Sequence, residues 1–407
     1  MPLTLLFDLD DTLLDTNIGA FVPAYFQALS GHLAPYVSVE VLLPALLAAT
    51  RLMVDSEDPA RTLQEVFEED FYRRIGIPKR DLAEALDDFY DNVFPDIEAK
   101  TNRRPDAVPL IEWAFSKGYR VAIATDPLFP RKATHHRLRW AGLDPARFEI
   151  VSTFEDFHFS KTHIAYYAEM LGQLGWRDGP VLMIGNDVER DLLPAHRLGL
   201  RTYFIDGESA SSPGVEAGRG KLADLRPWLE SIDLSALEPS FKSPAAVLAI
   251  MRSTPAVLKR ISSSLTQEEW RCEPSRDDWA LNEIVCHLRD TEREIHALQL
   301  KLMLERTDAF IPRPDTGVWA SERDYLHEDG AVALNEFLAA RLENIALIKN
   351  ADEAVWSRRA RHAIFGPTNF LEVAGFIAEH DRLHIQQAWA TLKSIQAGRV
   401  ESGEGVL

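Results

Sequence analysis

The residues of this chain that can do chemistry fall into short, separated clusters, and the first is "DLDDT" (8–12). Asp8 and Asp10 stand two apart where an apolar run ends, so both carboxylates can face one pocket as the backbone curls away from a strand. Crowded carboxylates repel one another unless a divalent cation sits among them, and hard oxygen ligands favour Mg²⁺. A carboxylate can also attack phosphorus, splitting one hard step into two through an aspartyl-phosphate. Three further clusters complete such a site: Thr125 at the end of "RVAIAT" (120–125), Lys161, and "GNDVERD" (185–191). Lys161 with Mg²⁺ would neutralise phosphoryl oxygens as charge builds on them. Thr125 would offer its hydroxyl to one of those oxygens. The plainer alternative is that the acids merely cap helices that follow the strands; four clusters in order at the ends of apolar runs weigh against it.

A second constellation lies far along the chain. "EHDRLHIQQ" (379–387) places His380 and His384 four apart, which puts the two rings on one helix face a turn apart. Such a pair can bind a transition metal. His287, in "WALNEIVCHLRD" (279–290), belongs to an apolar stripe that should face inward and supply a third imidazole. Three imidazoles leave a coordination position for water or a thiolate, the mark of a reactive site. Glu283 is one turn before His287 and is placed to orient its second ring nitrogen. Cys286 reads as a core residue and Asp381 as surface, because neighbouring helix positions diverge by about 100°.

The elements that must position these clusters differ between the two halves. Apolar runs at 4–10, 120–125, 148–153, 180–186 and 201–206 alternate with helical patterns, which reads as α/β with a parallel sheet. Each run is apolar throughout, as expected when helices cover both sheet faces. In an open sheet of this kind ligands bind beyond the carboxyl ends of the strands, where the first clusters fall. About residues 16–100 show helical periodicity without a strand and are too long for a crossover, so they read as an inserted helical cap. Within it Phe21, Tyr25, Phe26, Phe89 and Tyr90 are candidates for a pocket lining but more often core. Arg51, Arg61, Arg73 and Arg74 are more often solvated surface. A Gly/Ser-rich loop at 207–220 and a linker at 233–244 lead into helices expected near 245–264, 280–306, 331–350 and 369–396, a four-helix bundle.

Composition sets bounds on function. A chain of 407 residues is long for one core, and two domains, 1–235 and 243–397, are expected. A net charge of −19 disfavours nucleic acid and anionic membrane as partners. Two cysteines, Cys272 and Cys286, suit a reducing compartment. With no leader pattern and no apolar stretch long enough to span a bilayer, the expected location is cytoplasmic.

The ordered set "DLDDT", "IATD", Lys161 and "IGNDVERD" resembles the motifs of the haloacid dehalogenase (HAD) superfamily over about residues 3–232. The resemblance implies Asp8 as nucleophile and Asp10 as general acid and then base. An acid at position 10 favours phosphatase over dehalogenase chemistry, since it can protonate a leaving alcohol. Where many members carry Gly-Asp, this chain has Gly185-Asn186, followed by Asp187. The Mg²⁺ ligand there is Asn186, Asp187 or both, with Asp191 left to orient Lys161. Residues 243–397 resemble the DinB-like family of metal-binding bundles, through "W-x-x-x-E-x-x-x-H-L" and "FGPTNFLEVAGFIAEHDRLHIQQ". That implies His287, His380 and His384 as ligands of a divalent metal such as Zn²⁺, Ni²⁺ or Fe²⁺. The expected activity is phosphomonoester hydrolysis on a small phosphorylated metabolite, with a homodimer allowed for. The alternatives are a bundle that transfers a low-molecular-weight thiol with the first domain accessory, or two non-catalytic binding modules.

Overall fold

The run "TLLF" forms an inner strand, β1 (Thr4–Phe7), of a five-stranded sheet, and all four of its residues are buried. A computed structural model of the chain describes residues 2–205, 214–275 and 278–401. It places β2 (Arg120–Ile123), β3 (Val181–Gly185), β4 (Arg201–Ile205) and β5 (Gly218–Gly220) in the order β2-β1-β3-β4-β5. Every neighbouring pair is parallel. β1, β2 and β3 are buried along their whole length, which is why their sequences do not alternate.

The run at 148–153 is not a full strand. It touches the sheet by a bridge between Ile123 and Val151. A 3₁₀ turn at Pro145–Arg147 feeds straight into it, and Thr153 already accepts the turn bond from Asp156 N, so little extended chain is left. β5 has no apolar pattern and was not expected. Residues 207–213 of the expected Gly/Ser-rich loop lie outside the described residues.

Between β1 and β2 the chain forms the cap: α1 (Ile18–Leu33), α2 (Val39–Asp55), α3 (Leu63–Ile75) and α4 (Lys79–Asp88), followed by a π turn and a 3₁₀ turn over 89–100. Helix α3 starts on a capping box, Thr62 with Glu65, and stops at Gly76, whose φ of 70° suits glycine. The chain leaves and re-enters the core side by side, through a short antiparallel pair of Leu14–Asp15 with Asn102–Arg103. After β2 comes α5 (Arg131–Trp140).

By internal contacts the chain divides into two compact units, 1–170 with 178–240, and 171–177 with 241–407. The second is built on α6 (Pro244–Ser262), a continuous helix of α7 (Leu281–Thr291), a π turn (Glu292–His296) and α8 (Ala297–Glu305), then α9 (Gly330–Ile348) and α10 (Phe370–Glu401). All eleven residues of α7 are buried. A small sheet, β6 (Ala309–Ile311), β7 (Arg359–His362) and β8 (Gly366–Asn369), departs from the wholly helical expectation. β7 and β8 form an antiparallel hairpin whose turn ends at Gly366, with φ 74°. The fold is an α/β parallel sheet with an inserted helical cap, followed by a four-helix bundle. Among the described residues no helix is long and apolar enough to cross a membrane.

Candidate active site and metal centre

The first-unit clusters meet at the carboxyl end of the sheet. Asp8 follows β1 directly and is 6% exposed, its N–H bound to Ile184 O of β3 at 2.9 Å. Lys161, 1% exposed, reaches Asp8 Oδ1 with Nζ at 2.6 Å and pairs with Asp191 on its other side. Lys161 N donates to Asp126 Oδ1 at 3.1 Å, which ties the segment after β2 to the same point. Gly185 makes this approach feasible, since a Cβ there would overlap the Asp191 carboxylate. Asp191 Oδ2 accepts from Asn186 N and Asp187 N, each at 3.0 Å.

Asn186 and Asp187 face different ways. Asn186 Oδ1 accepts the Thr12 hydroxyl at 3.0 Å, which brings it against the first cluster. Asp187 caps the following turn, its Oδ1 accepting from Glu189 N at 2.9 Å and Arg190 N at 3.1 Å. Thr125 is buried, and its carbonyl accepts from Ser152 Oγ (2.6 Å) and Tyr166 OH (2.9 Å).

Asp10 carries partners that sequence reasoning missed. Its Oδ1 accepts the Thr16 hydroxyl at 2.7 Å, and its Oδ2 pairs with Arg137 of α5. Arg137 is 1% exposed and lies with its guanidinium over Phe129, 4.6 Å from the ring centre. The loop between is shaped by Asp11, which sits at φ 57° and accepts from Thr16 N (2.9 Å) and Asn17 N (3.0 Å). The only hint of Arg137 in the sequence is a basic residue among the buried positions of α5, too common a pattern to single out.

Burial, and then the charges of Asp191 and Asp10, push the Asp8 carboxyl up to about 8, with Lys161 pulling the other way. Among the described residues Asp8, Asp10 and Asp191 pair with Lys161 and Arg137, three carboxylates to two cations, so the cluster is short of positive charge. That imbalance, with the Asn186 oxygen alongside, fits a divalent cation.

In the second unit His287 Nε2 lies 3.1 Å from His380 Nε2, and His384 Nε2 lies 3.2 Å from the same atom. One ligand nitrogen from each of the three falls within 4.8 Å of the others. Three imidazoles that turn lone-pair nitrogens on one point, at spacings close to the edge of a tetrahedral Zn–N site, fit a metal. Burial lowers all three rings: His287 to about 3, with His384 and His296 adding, His380 well below its ordinary value, and His384 below it. Neutral rings are the ligand form. Trp279 stacks on His384 at 5.9 Å and tilts against His287 at 5.0 Å.

Two expectations need correction. Glu283 turns its carboxylate to the main-chain N–H of Ala280 at 2.9 Å, closing the helix N-terminus, and His287 Nδ1 is buried with no hydrogen-bond partner among the described residues. Asp381 is fully buried instead of surface. It is held by Arg341 (2.9 Å from Nη2 to Oδ1) and by the Thr254 hydroxyl (2.9 Å). Arg341 also binds Glu292, at 2.8 and 2.7 Å, and Glu292 accepts from His296 Nδ1 at 3.0 Å. His296 stands edge-on to His380, ring centres 5.4 Å apart. Cys286 remains a core thiol, which burial pushes up to about 12.

Comparison with known proteins matches residues 3–199 to the family model of haloacid dehalogenase-like hydrolases, and residues 250–388 to that of the DinB superfamily. No curated protein matches the chain. Among solved structures, the HAD phosphatase from Thermococcus onnurineus is 23% identical, aligned over 56% of this chain and 98% of its own, with a TM-score of 0.38. The 2-haloacid dehalogenase from Pseudomonas syringae pv. Tomato DC3000 is 20% identical over 56% and 99%, with a TM-score of 0.41. YfiT from Bacillus subtilis, described as a probable metal-dependent hydrolase with an unusual four-helix bundle topology, is 15% identical over 51% and 98%, with a TM-score of 0.32.

Proposed function

From a chain that joins a haloacid dehalogenase-like hydrolase domain to a DinB superfamily domain, we propose that the first domain hydrolyses a small phosphomonoester through an aspartyl-phosphate on Asp8. The observation that carries this reading is the second acid: Asp10 lies in the same cluster as Asp8, held by Thr16 and Arg137. Asp8 Oδ forms a bond to phosphorus as the bond to the leaving oxygen breaks, and Asp10 delivers a proton to that oxygen. Water then attacks the phosphorus and gives its proton to Asp10. The bond to Asp8 breaks, and inorganic phosphate leaves. Lys161 stays on Asp8 to orient it and to offset phosphoryl charge, and Asp191 holds Lys161 in place. Thr125 offers its hydroxyl to a phosphoryl oxygen.

Mg²⁺ would be held by Asp8, Asp10 and Asn186, and would supply further neutralisation of the phosphoryl oxygens. Asp187 is the weaker candidate ligand because its carboxylate caps the next turn. Both carboxylate oxygens of Asp10 are engaged, so side-chain ligation by Asp10 requires Thr16 or Arg137 to yield.

For the second domain the proposal is a divalent transition-metal centre on His287, His380 and His384, Zn²⁺, Ni²⁺ or Fe²⁺, with a position left for water or a small thiol. The close approach of the three ring nitrogens supports it. The hydrolase reading is tested by phosphate release from a panel of phosphomonoesters, with and without Mg²⁺, for the native chain and Asp8→Asn. Release that needs Mg²⁺ and disappears in the variant is expected. Release that persists in Asp8→Asn would overturn the aspartyl-phosphate.

A further inference from the structure

The cap helices and the segment after β2 line an open pocket of about 480 Å³, within the range of small-molecule sites, roughly 300–1,000 Å³. Its walls are apolar: Tyr25 and Phe26 of α1, Leu46 of α2, Phe67 of α3, Tyr90, and Phe129 from the segment after β2. Tyr25 and Tyr90 spend their hydroxyls on each other, 3.0 Å apart. The ionised groups at its rim are also satisfied among themselves. Lys79 pairs with Glu68 at 2.8 Å, Lys132 with Asp87 at 3.1 Å and Asp91 at 2.8 Å, and Glu155 accepts from Arg131 N at 2.9 Å. A second phosphate or carboxylate on the occupant would therefore have to break an existing pair to find a cation.

The cavity is tied to the charged cluster by one short segment. Asp126 holds Lys161 N, and three residues later Phe129 lines the cavity with its ring while its face carries the Arg137 guanidinium that grips Asp10. Phe129 thus links the wall of the apolar pocket, through Arg137, to the proposed proton donor. Leu128, Pro130, Phe154 and Glu155 complete that wall from loops at the carboxyl edge of the sheet, the edge from which Asp8 emerges.

We infer that this cavity receives the alcohol half of the substrate, and that the substrate class is phosphomonoesters of apolar alcohols, aryl or medium-chain alkyl, with no second anionic group. The assignment of an alcohol half rests on the hydrolase reading above. The size and apolar lining of the pocket do not.

The test uses the full chain with Mg²⁺ and a series of ethyl, butyl, hexyl and octyl phosphates, phenyl and naphthyl phosphates, and glycerol phosphate as the polar control. The kcat/KM should rise about three- to four-fold per methylene while the chain enters the cavity, the gain expected from burying a methylene. Glycerol phosphate should fall with the shortest esters. Leu47→Trp, at an exposed rim position of α2, and Phe26→Asp should each collapse the octyl-to-ethyl ratio towards one. Binding of 1-naphthol, followed by its fluorescence, supplies a readout without chemistry and should weaken at least ten-fold in both variants. Release from every ester without apolar preference, or naphthol binding indifferent to both substitutions, would overturn the cavity assignment alone. No release from any ester, with naphthol still bound by the native chain and lost in the variants, would overturn the hydrolase reading and the substrate class while leaving an apolar ligand site.

Discussion

Replacing Arg341 by methionine removes the one guanidinium lodged between two carboxylates that have no route to water. Arg341, Glu292 and Asp381 are all fully buried, and the guanidinium makes two hydrogen bonds to Glu292 and one to Met251 O at 3.0 Å, besides those to Asp381. Taking one partner out of a buried pair costs about 3–5 kcal/mol, because an uncompensated charge remains. For a domain of this size each kcal/mol shifts the midpoint by about 2–4 °C, so the bundle transition should fall by about 6–20 °C in calorimetry of the full chain. The triple variant Arg341→Met, Glu292→Gln, Asp381→Asn should recover most of the loss, since it leaves no stranded charge. The pH dependence adds a sign. Burial raises the Glu292 carboxyl, but the charge of Arg341 and the bond from His296 outweigh this and hold it well below its ordinary value. A depressed folded value stabilises above the unfolded value and is lost as pH falls through the folded one. The gap between native chain and Arg341→Met should therefore narrow as pH falls below the unfolded glutamate value, about 4.3, towards the depressed folded value of Glu292. Transitions that all stay within about 2 °C of the native chain, or a triple variant as unstable as the single one, would refute the reasoning.

Arg137→Gln should lower kcat about 10- to 100-fold, a larger change than in KM, because it loosens the aim of Asp10. A native kcat would remove Arg137 from the positioning role, and partial rescue by Arg137→Lys would support it. His287→Ala and His384→Ala should each strip the second unit of metal, read as metal per chain by emission spectroscopy after dialysis. Unchanged stoichiometry would sink the triad. Because burial holds the three rings below the ordinary histidine range, His287 to about 3, neutral ligands persist on acidification. Metal content should stay flat from pH 7 to about 5, and half-release near pH 6 would contradict this.

Much of the first site was legible because its chemistry is written at strand ends. Apolar runs that stop at Asp8, Thr125 and Gly185 already say which edge of a parallel sheet carries the reactive groups. What was illegible came from side chains that act across long sequence separations. Arg137 meets Asp10 over 127 residues, and nothing local distinguishes it from Arg139 two positions on. Of the triad, the His380 and His384 pair was legible from helical spacing, while His287 came from an inward-facing apolar stripe and from the resemblance to the DinB-like family. The triad's surroundings were not legible. Asp381 follows His380 and was assigned to solvent by its angle, yet the flank of α10 next to the histidines meets Arg341 and Thr254. In a bundle helix packed on more than one side, a polar position off the apolar stripe is not automatically outside. The 148–153 run failed as a strand for a local reason, a 3₁₀ turn before it and a tight turn after it.

The π turn at Glu292–His296 sets the phase of everything after it in its helix. His287 and His296 are nine residues apart, which in an uninterrupted α-helix is roughly 900°, half a turn off, and would point the two rings in opposite directions. A π turn absorbs one extra residue, so the pair behaves as if eight apart, roughly 800°, and both rings come to His380. The helix thus works like a gear advanced by one tooth. Deleting a single residue within the turn would therefore restore an unbroken α-helix with the pair eight apart and His296 still beside His380, whereas straightening the turn without a deletion would swing α8 by roughly 100° and carry His296 away. The arrangement around the histidines thus depends on how the chain is wound at one point as much as on which residues are present.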